Sequence, residues 1–208
     1  MHSIGQVQKT PMPNTVRNLL TINGTEEQII KVRNLIKGAK GEPISFQSFW
    51  PMPKNLKGKK MVEVKEWPLS PEGKPYTLPD WEYWRLQNWG TSWDADRPIP
   101  DDPFEAPNRI LFTTQADTPL MAMKILSLLF PEITFNVIFS DNYVELYCGE
   151  YTIKGGEVTN KVWFDAISMV GDISVDQQME YYFRTHEQER QYWKKNEDGE
   201  WFDIEDED

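Results

Sequence analysis

The chain holds one cysteine, Cys148, and two histidines, His2 and His186. These three set the limits on nucleophilic and metal chemistry. A Ser/His/Asp or Cys/His site needs a histidine in a cleft beside its nucleophile. His2 lies in the leading stretch, and His186 falls at helical spacing near Tyr182 and Arg190. Cys148 ends a strand-like run, the usual setting of a small buried hydrophobe. No H-E-x-x-H pair, cysteine pair or EF-hand loop occurs, and "KGGE" (154–157) reads as a turn, not a phosphate cradle. No catalytic set, no metal and no cofactor are expected.

The densest chemistry is "WRLQNWGTSWDA", residues 84–95. Asp94 and Asp96 point to opposite sides of an extended chain, so their spacing makes a poor acid–base dyad. Glycoside chemistry wants two carboxyl groups roughly 5–10 Å apart. Asp94 instead suits capping of turn amides. Asn88-Trp89-Gly90-Thr91 reads as a turn in which Gly90 takes a positive φ. Two readings follow. Trp84, Trp89 and Trp93 lock irregular chain onto a core, since each indole buries a large area. Or Trp84, Trp89, Trp93, Asp94 and Arg97 form a recognition surface of the aromatic and arginine kind that dominates interfaces.

Charge narrows the partners. The formal net charge is −11. The segment from Asn196, "NEDGEWFDIEDED", holds eight acidic and no basic residues, and without it 25 acidic face 22 basic residues. The acidity is therefore concentrated in a tail, with Asp203, Glu205, Asp206, Glu207 and Asp208 as candidate contacts for a basic partner. The only basic cluster is Lys54, Lys57, Lys59, Lys60 and Lys65, and a solvated loop accounts for it. Direct phosphate-backbone binding wants a basic face. The lone cysteine excludes an intramolecular disulfide and fits a reducing setting. The first residues lack an apolar leader core, and the longest apolar run, 120–130, is too short to span a bilayer. A cytoplasmic protein with no membrane contact is expected.

The elements that must position these residues are partly legible. Residues 1–13 read as a flexible lead, and "TVRNLLTI" (15–22) as a strand. Thr25 and Gln28 form a capping box before a helix that carries Ile29, Val32, Arg33 and Ile36 on one face. "ISFQSF" (44–49) reads as a second strand. Residues 50–107 form a Trp/Pro-rich insertion: eleven of fifteen prolines lie within 43–107, and five of nine tryptophans within 67–93. A short helix at Asp80–Gln87, with Asp80 as its N-cap, is expected inside it. "RILFTT" (109–114) is a strand. Asp117 or Thr118 caps a helix through Phe130, apolar on nearly all sides and therefore expected to be buried. "TFNVIF" (134–139), "YVELYC" (143–148) and "EYTIK" (150–154) follow as strands. Ser174 and Gln177 cap a last helix over roughly 175–195, with Val175, Met179, Tyr182, His186 and Trp193 as its apolar stripe. The order predicts an α+β fold, a ferredoxin-like split β-α-β sandwich over 14–158, a helical extension over 159–195, and an acidic tail over 196–208.

"MPN…N.L.I.G" (12–24), "PMP..L" (51–56), "W…NWGTSWDA" (84–95), "T…P" (114–119), "FP.I.F" (130–135) and a strand ending in Gly149 occur in one order. Over roughly residues 12–155 the chain resembles the YubB ferredoxin-like domain family of plasmid and phage proteins. It departs at Thr15-Val16, where the family pattern has Trp-Cys. A second departure is Ala116-Asp117-Thr118, where the pattern has Trp, a small residue and Pro. The resemblance implies a ferredoxin-like fold and a mobile-element origin, and supplies no reaction.

The leading expectation is a non-enzymatic interaction protein that binds and modulates a host or defence protein. An enzyme or small-molecule binder with its site in the Trp-rich insertion is the first alternative. A nucleic-acid-binding ferredoxin-like domain is the second, although "RILFTT" lacks the basic-Gly-aromatic pattern of base-stacking strands. A homodimer through residues 175–193 is a further expectation.

Overall fold

The structure, a computed structural model, describes residues 15–56, 58, 60–64, 76–96, 106–115, 117–142, 147–165, 171 and 173–204. Its frame is a five-stranded sheet of β1 (Thr15–Asn23), β4 (Arg109–Gln115), β5 (Thr134–Asp141), β6 (Tyr147–Lys154) and β7 (Glu157–Asp165), in the order β4-β1-β5-β6-β7. Every neighbouring pair is antiparallel. β4 and β5 therefore run parallel on either side of β1. The helix α4 (Leu120–Leu129) joins them, making a split β-α-β unit. The fold is α+β.

Alternation of side chains gives the sheet two different faces. Leu20 sits opposite Ile110 and Val137. With Val16, Ile22, Phe112, Phe135, Phe139, Tyr151 and Ile153 they form the main core. Over it lie α1 (Glu26–Ile36) through Val32 and Ile36, the single turn α2 (Phe46–Phe49) through Phe46 and Phe49, and α4 through Ala122, Met123 and Leu126. Leu19, one residue on, sits opposite Leu111 and Ile138 on the other face. There α5 (Val175–Thr185) covers them with Tyr181.

Local signals place several ends as read. Thr25 accepts from the Gln28 amide and the Gln28 side chain accepts from the Thr25 amide, and the Ser174/Gln177 box repeats the arrangement at α5. Gly155 and Gly156 take φ of 56° and 84° in the two-residue link between β6 and β7. That pair of positive φ values is what a tight hairpin needs.

Five expectations are corrected. "ISFQSF" is not a strand: it is the helical turn α2, with Phe46 and Phe49 directed into the core. The insertion carries its own β-ribbon, β2 (Met61–Val64) against β3 (Tyr76–Pro79), and a longer helix, α3 (Asp80–Trp89), whose N-cap position is Pro79, not Asp80. The N-cap position of α4 is Pro119, not the expected Asp117 or Thr118, and one side of α4 stays exposed. The described part of 143–154 is one strand, β6, and β7 follows where a helical extension was expected. The last helix stops at Thr185. A 3-10 turn (Glu187–Tyr192) leads into a hairpin of β8 (Trp193–Lys195) and β9 (Trp201–Asp203).

That hairpin folds back on α5. Met179, Tyr182 and Phe183 are buried under Trp193 and Trp201. So α5 lies between the sheet and the hairpin, and of the expected apolar stripe Met179, Tyr182 and His186 are buried within the chain while Val175 stays exposed. Residues 196–200 are the exposed turn of this hairpin and 201–203 its half-buried second strand, so the acidic segment is ordered chain through that strand. The expected flexible lead at 1–13 lies outside the described residues. Among those residues no helix is long and apolar enough to cross a membrane.

Candidate recognition surface

The three tryptophans of "WRLQNWGTSWDA" have three different environments. Trp89 is fully buried. Its indole N–H donates to the Trp50 carbonyl at 3.0 Å, and its ring packs against Phe46 at 5.7 Å and edge-on to Trp84 at 5.6 Å. Trp84 is half-buried against the same core. Gly90 ends α3 with φ 83°, the left-handed cap that the turn requires. The chain then reverses through Thr91, whose hydroxyl donates to the Trp93 carbonyl at 2.7 Å. Trp93 emerges 52% exposed.

Trp93 is exposed but braced. It packs edge-on to Trp81 at 5.8 Å. Behind the pair lies Arg85, its guanidinium 4.8 Å from the Trp81 ring, 5.2 Å from Trp89 and 5.9 Å from Trp93. A guanidinium is attracted to the negative face of each indole. Arg85 Nη1 donates to the Ser92 carbonyl at 3.5 Å while its Nε is buried without a hydrogen-bond partner, and the three rings supply the remaining contacts to the guanidinium. The sequence pattern groups Trp81, Trp84 and Arg85 on one face; it does not show that Arg85 organises the cluster.

Asp94 is a cap, not a free acid. Its carboxylate accepts from Ser45 Oγ at 2.7 Å, from the Phe46 amide at 2.6 Å and from the Ala95 amide at 2.8 Å. It thereby satisfies the first amide of α2 and ties the insertion to that turn. Asp96 exchanges two backbone hydrogen bonds with Thr113, at 3.0 and 2.5 Å, extending the sheet by one bridge beyond β4. Between Asp96 and Trp93 the chain peels away from β4. The gap is a cleft of about 450 Å³ lined by Trp93, Asp94, Ala95, Asp96, Thr113, Thr114 and Gln115. The structure thus brings Trp93 and Asp94 together at a cleft and assigns Trp84 and Trp89 to packing. Arg97 lies outside the described residues.

Asp203 belongs to β9 opposite Trp193 and is half-buried. Glu205, Asp206, Glu207 and Asp208 lie outside the described residues.

Two polar networks were not legible in the sequence. Asn18 donates to Thr114 Oγ1 at 2.9 Å and accepts from Thr118 Oγ1 at 2.7 Å, and Thr118 Oγ1 lies 3.1 Å from Tyr151 OH. Beside it Asp117 accepts from Tyr147 OH and, at 2.6 Å, from the Thr118 amide. Burial pushes the Asp117 carboxyl above its usual range against those two bonds. On the other face His186 Nδ1 sits 2.9 Å from Thr185 Oγ1 and 3.3 Å from Ser140 Oγ. The serine–histidine pair has the elements of a nucleophile and base, but Ser140 is 2% and His186 1% exposed. Burial, with Arg17 nearby, lowers the imidazole to about 3. Burial pushes the Cys148 thiol up to about 12. Neither group is poised for catalysis near neutral pH. Among the described residues no three His, Cys, Asp or Glu side chains converge as a metal site.

No family model, curated protein or solved structure matches this chain.

Proposed function

We propose that this chain is a non-enzymatic interaction protein whose anchor is Trp93, and that its target is a host or defence protein of the cell entered by a phage or plasmid. The observation that carries the reading is the bracing of Trp93. A large aromatic side chain stands more than half exposed at the lip of a cleft, held from behind by Trp81 and Arg85. Pre-ordered aromatic anchors lose little entropy on binding and dominate interface energies. The neutral, buried His186 and the shielded Cys148 support a role without covalent chemistry. The ferredoxin-like and YubB readings belong to this proposal. The split β-α-β unit supports the first, and the motif order over 12–155 is what the second rests on.

The nucleic-acid reading fares less well on one specific point. Base-stacking sheets leave a face open, and here α5 covers the face of Leu19, Leu111 and Ile138.

The test is affinity capture from host extract with the wild-type chain and with Trp93→Ala, partners being identified by mass spectrometry. A stoichiometric protein partner retained by the wild type and lost by a folded Trp93→Ala variant supports the reading. Equal capture by both variants, or a small molecule bound in the cleft in place of any protein, overturns it.

A further inference from the structure

The strand β4 forms one edge of the sheet, and its register says which groups face outward there. Thr113 exchanges both of its backbone hydrogen bonds with Asp96, so its N–H and C=O point away from β1. Successive residues of an antiparallel strand alternate in this respect. Gln115, two places on, therefore sends its N–H and C=O the same way, while the Val16–Thr114 pair holds β4 to β1 at this end. A chain that continued along β4 beyond Asp96 would set Asp94 opposite Gln115. It does not, because the Asp94 carboxylate is drawn to Ser45 and the Phe46 amide. The cap on α2 diverts one strand position, and the cleft of about 450 Å³ opens in its place. Among the described residues nothing pairs with the Gln115 N–H and C=O. The facing wall is different. There the Ala95 amide donates to Asp94 Oδ1 and the Trp93 carbonyl accepts from Thr91, and what that wall presents is the Trp93 ring.

We propose that this cleft takes an extended segment of the partner protein as an added antiparallel strand. One residue of the segment exchanges two hydrogen bonds with Gln115, and an apolar side chain beside it packs on Trp93. The inference rests on the reading of Trp93 as the anchor and names the form in which the partner presents itself. The chemistry of the two walls selects the occupant. An outward N–H and C=O on one residue match the backbone of an extended chain, whatever its sequence, and the aromatic ring supplies the side-chain preference. A folded sheet edge, such as β4 of a second copy, needs a run of open positions, and Asp96 already closes the edge at Thr113. A single segment needs only one strand spacing, about 4.8 Å. Charge adds a second preference. Asp94 and Asp96 border the cleft in a chain of net charge −11, so an acidic segment is disfavoured.

The experiment selects binders to the full chain from a displayed library of random linear peptides and measures the Kd of the tightest one as a synthetic, fluorescent peptide. On binding, the Gln115 amide, followed by NMR, becomes protected from solvent exchange. Gln115→Pro deletes the outward N–H and spares the bonds to β1, and an edge strand tolerates proline. It raises the Kd about tenfold, whereas Gln115→Ala, which keeps the backbone, stays within about threefold of the wild type. Methylating the one peptide nitrogen that donates to the Gln115 carbonyl weakens binding to the same extent with the protein untouched; methylating its neighbours, which point away from β4, costs less. Trp93→Ala abolishes binding. A library that yields no binder overturns the added strand and leaves Trp93 as the anchor. So does a peptide whose Kd responds to Trp93→Ala but to neither Gln115→Pro nor backbone methylation. Binding that survives Trp93→Ala overturns the anchor, and the proposal with it. A chain that dimerises through β4 without peptide overturns the choice of occupant.

Discussion

Tyr182 and His186 stack face to face, their ring centres 4.1 Å apart and 8° from parallel. The stack closes the end of α5. Tyr182 OH donates to Glu189, and Arg17 reaches Glu189 at 3.5 Å, so strand β1, α5 and the 3-10 turn meet at this point. His186 Nε2 lies 3.4 Å from Asn142 Oδ1 on the far side. An imidazolium here would be enclosed with Arg17 close by, which is why the ring stays neutral.

Folding stability should therefore fall in mild acid. The folded imidazole is lowered to about 3 against an ordinary value near 6.5. The unfolded chain then takes up a proton that the folded chain refuses. The contribution of His186 is fully present above pH 6.5 and is lost as pH falls from 6.5 toward 3, at up to about 1.4 kcal/mol per pH unit. Urea denaturation at pH 7, 5.5 and 4.5 reads it. His186→Phe keeps the stack, and the slope it removes is the histidine's share. Equal slopes in both proteins would count against this assignment.

Trp89 and Trp93 lie four residues apart and should respond in opposite ways. Trp89→Ala opens a hole in the core and should cost about 3–5 kcal/mol. Trp93→Ala removes an exposed ring and should cost about 1 kcal/mol or less. Thermal unfolding separates them. A Trp93→Ala variant as unstable as Trp89→Ala would make Trp93 a packing residue.

Arg33 is the rivet of the insertion's far end. Its guanidinium donates to the carbonyls of Ala106, Pro107 and Arg109 at 2.6 to 2.8 Å. Arg33→Lys cannot reproduce the fork. It should cost about 1–2 kcal/mol and speed amide exchange at Arg109 while leaving β5 and β6 unchanged. Uniform loss of protection would show that the contact serves global stability, not local order.

Trp201 should behave as a core residue despite its place in an acidic segment. Its ring packs on Phe183 at 5.4 Å and its N–H donates to Asp176 Oδ1 at 2.8 Å. Trp201→Ala should cost about 2 kcal/mol, less than a fully buried tryptophan, and should raise binding of a hydrophobic dye. An unchanged melting temperature would mean that the hairpin rests on α5 without stabilising it.

What was legible in the sequence was what neighbouring residues decide. Thr25 with Gln28 and Ser174 with Gln177 each close a hydrogen-bonded loop within four residues, so their helices start where the pattern says. Gly90 carries its own backbone requirement. "ISFQSF" failed for the opposite reason. It alternates like a strand, but the carboxylate that starts its helical turn belongs to Asp94, 49 residues away from Ser45. The same distance hid the role of Asp94. The terminal hairpin did leave a signal: Asp198-Gly199, with Gly199 at φ 84°, stands between "WKK" and "WFD", an aspartate–glycine pair flanked by aromatic runs. Reading acidic charge as tail outweighed it. The cleft was illegible because it exists only where residues 93–95 part from β4 before Asp96 rejoins it.

The hairpin over α5 also has a meaning in time. The α5 residue Asp176 and its partner Trp201 are 25 residues apart in the chain. At a synthesis rate of about 5–20 residues per second, roughly one to five seconds separate them. During that interval Met179 and Phe183 have been made but their cover has not. A nascent chain paused there presents a greasy helix to chaperones and proteases. A product ending at residue 195 would keep Trp193 but lose Trp201 from that cover permanently, so shortening this protein to remove its charge also removes part of its core.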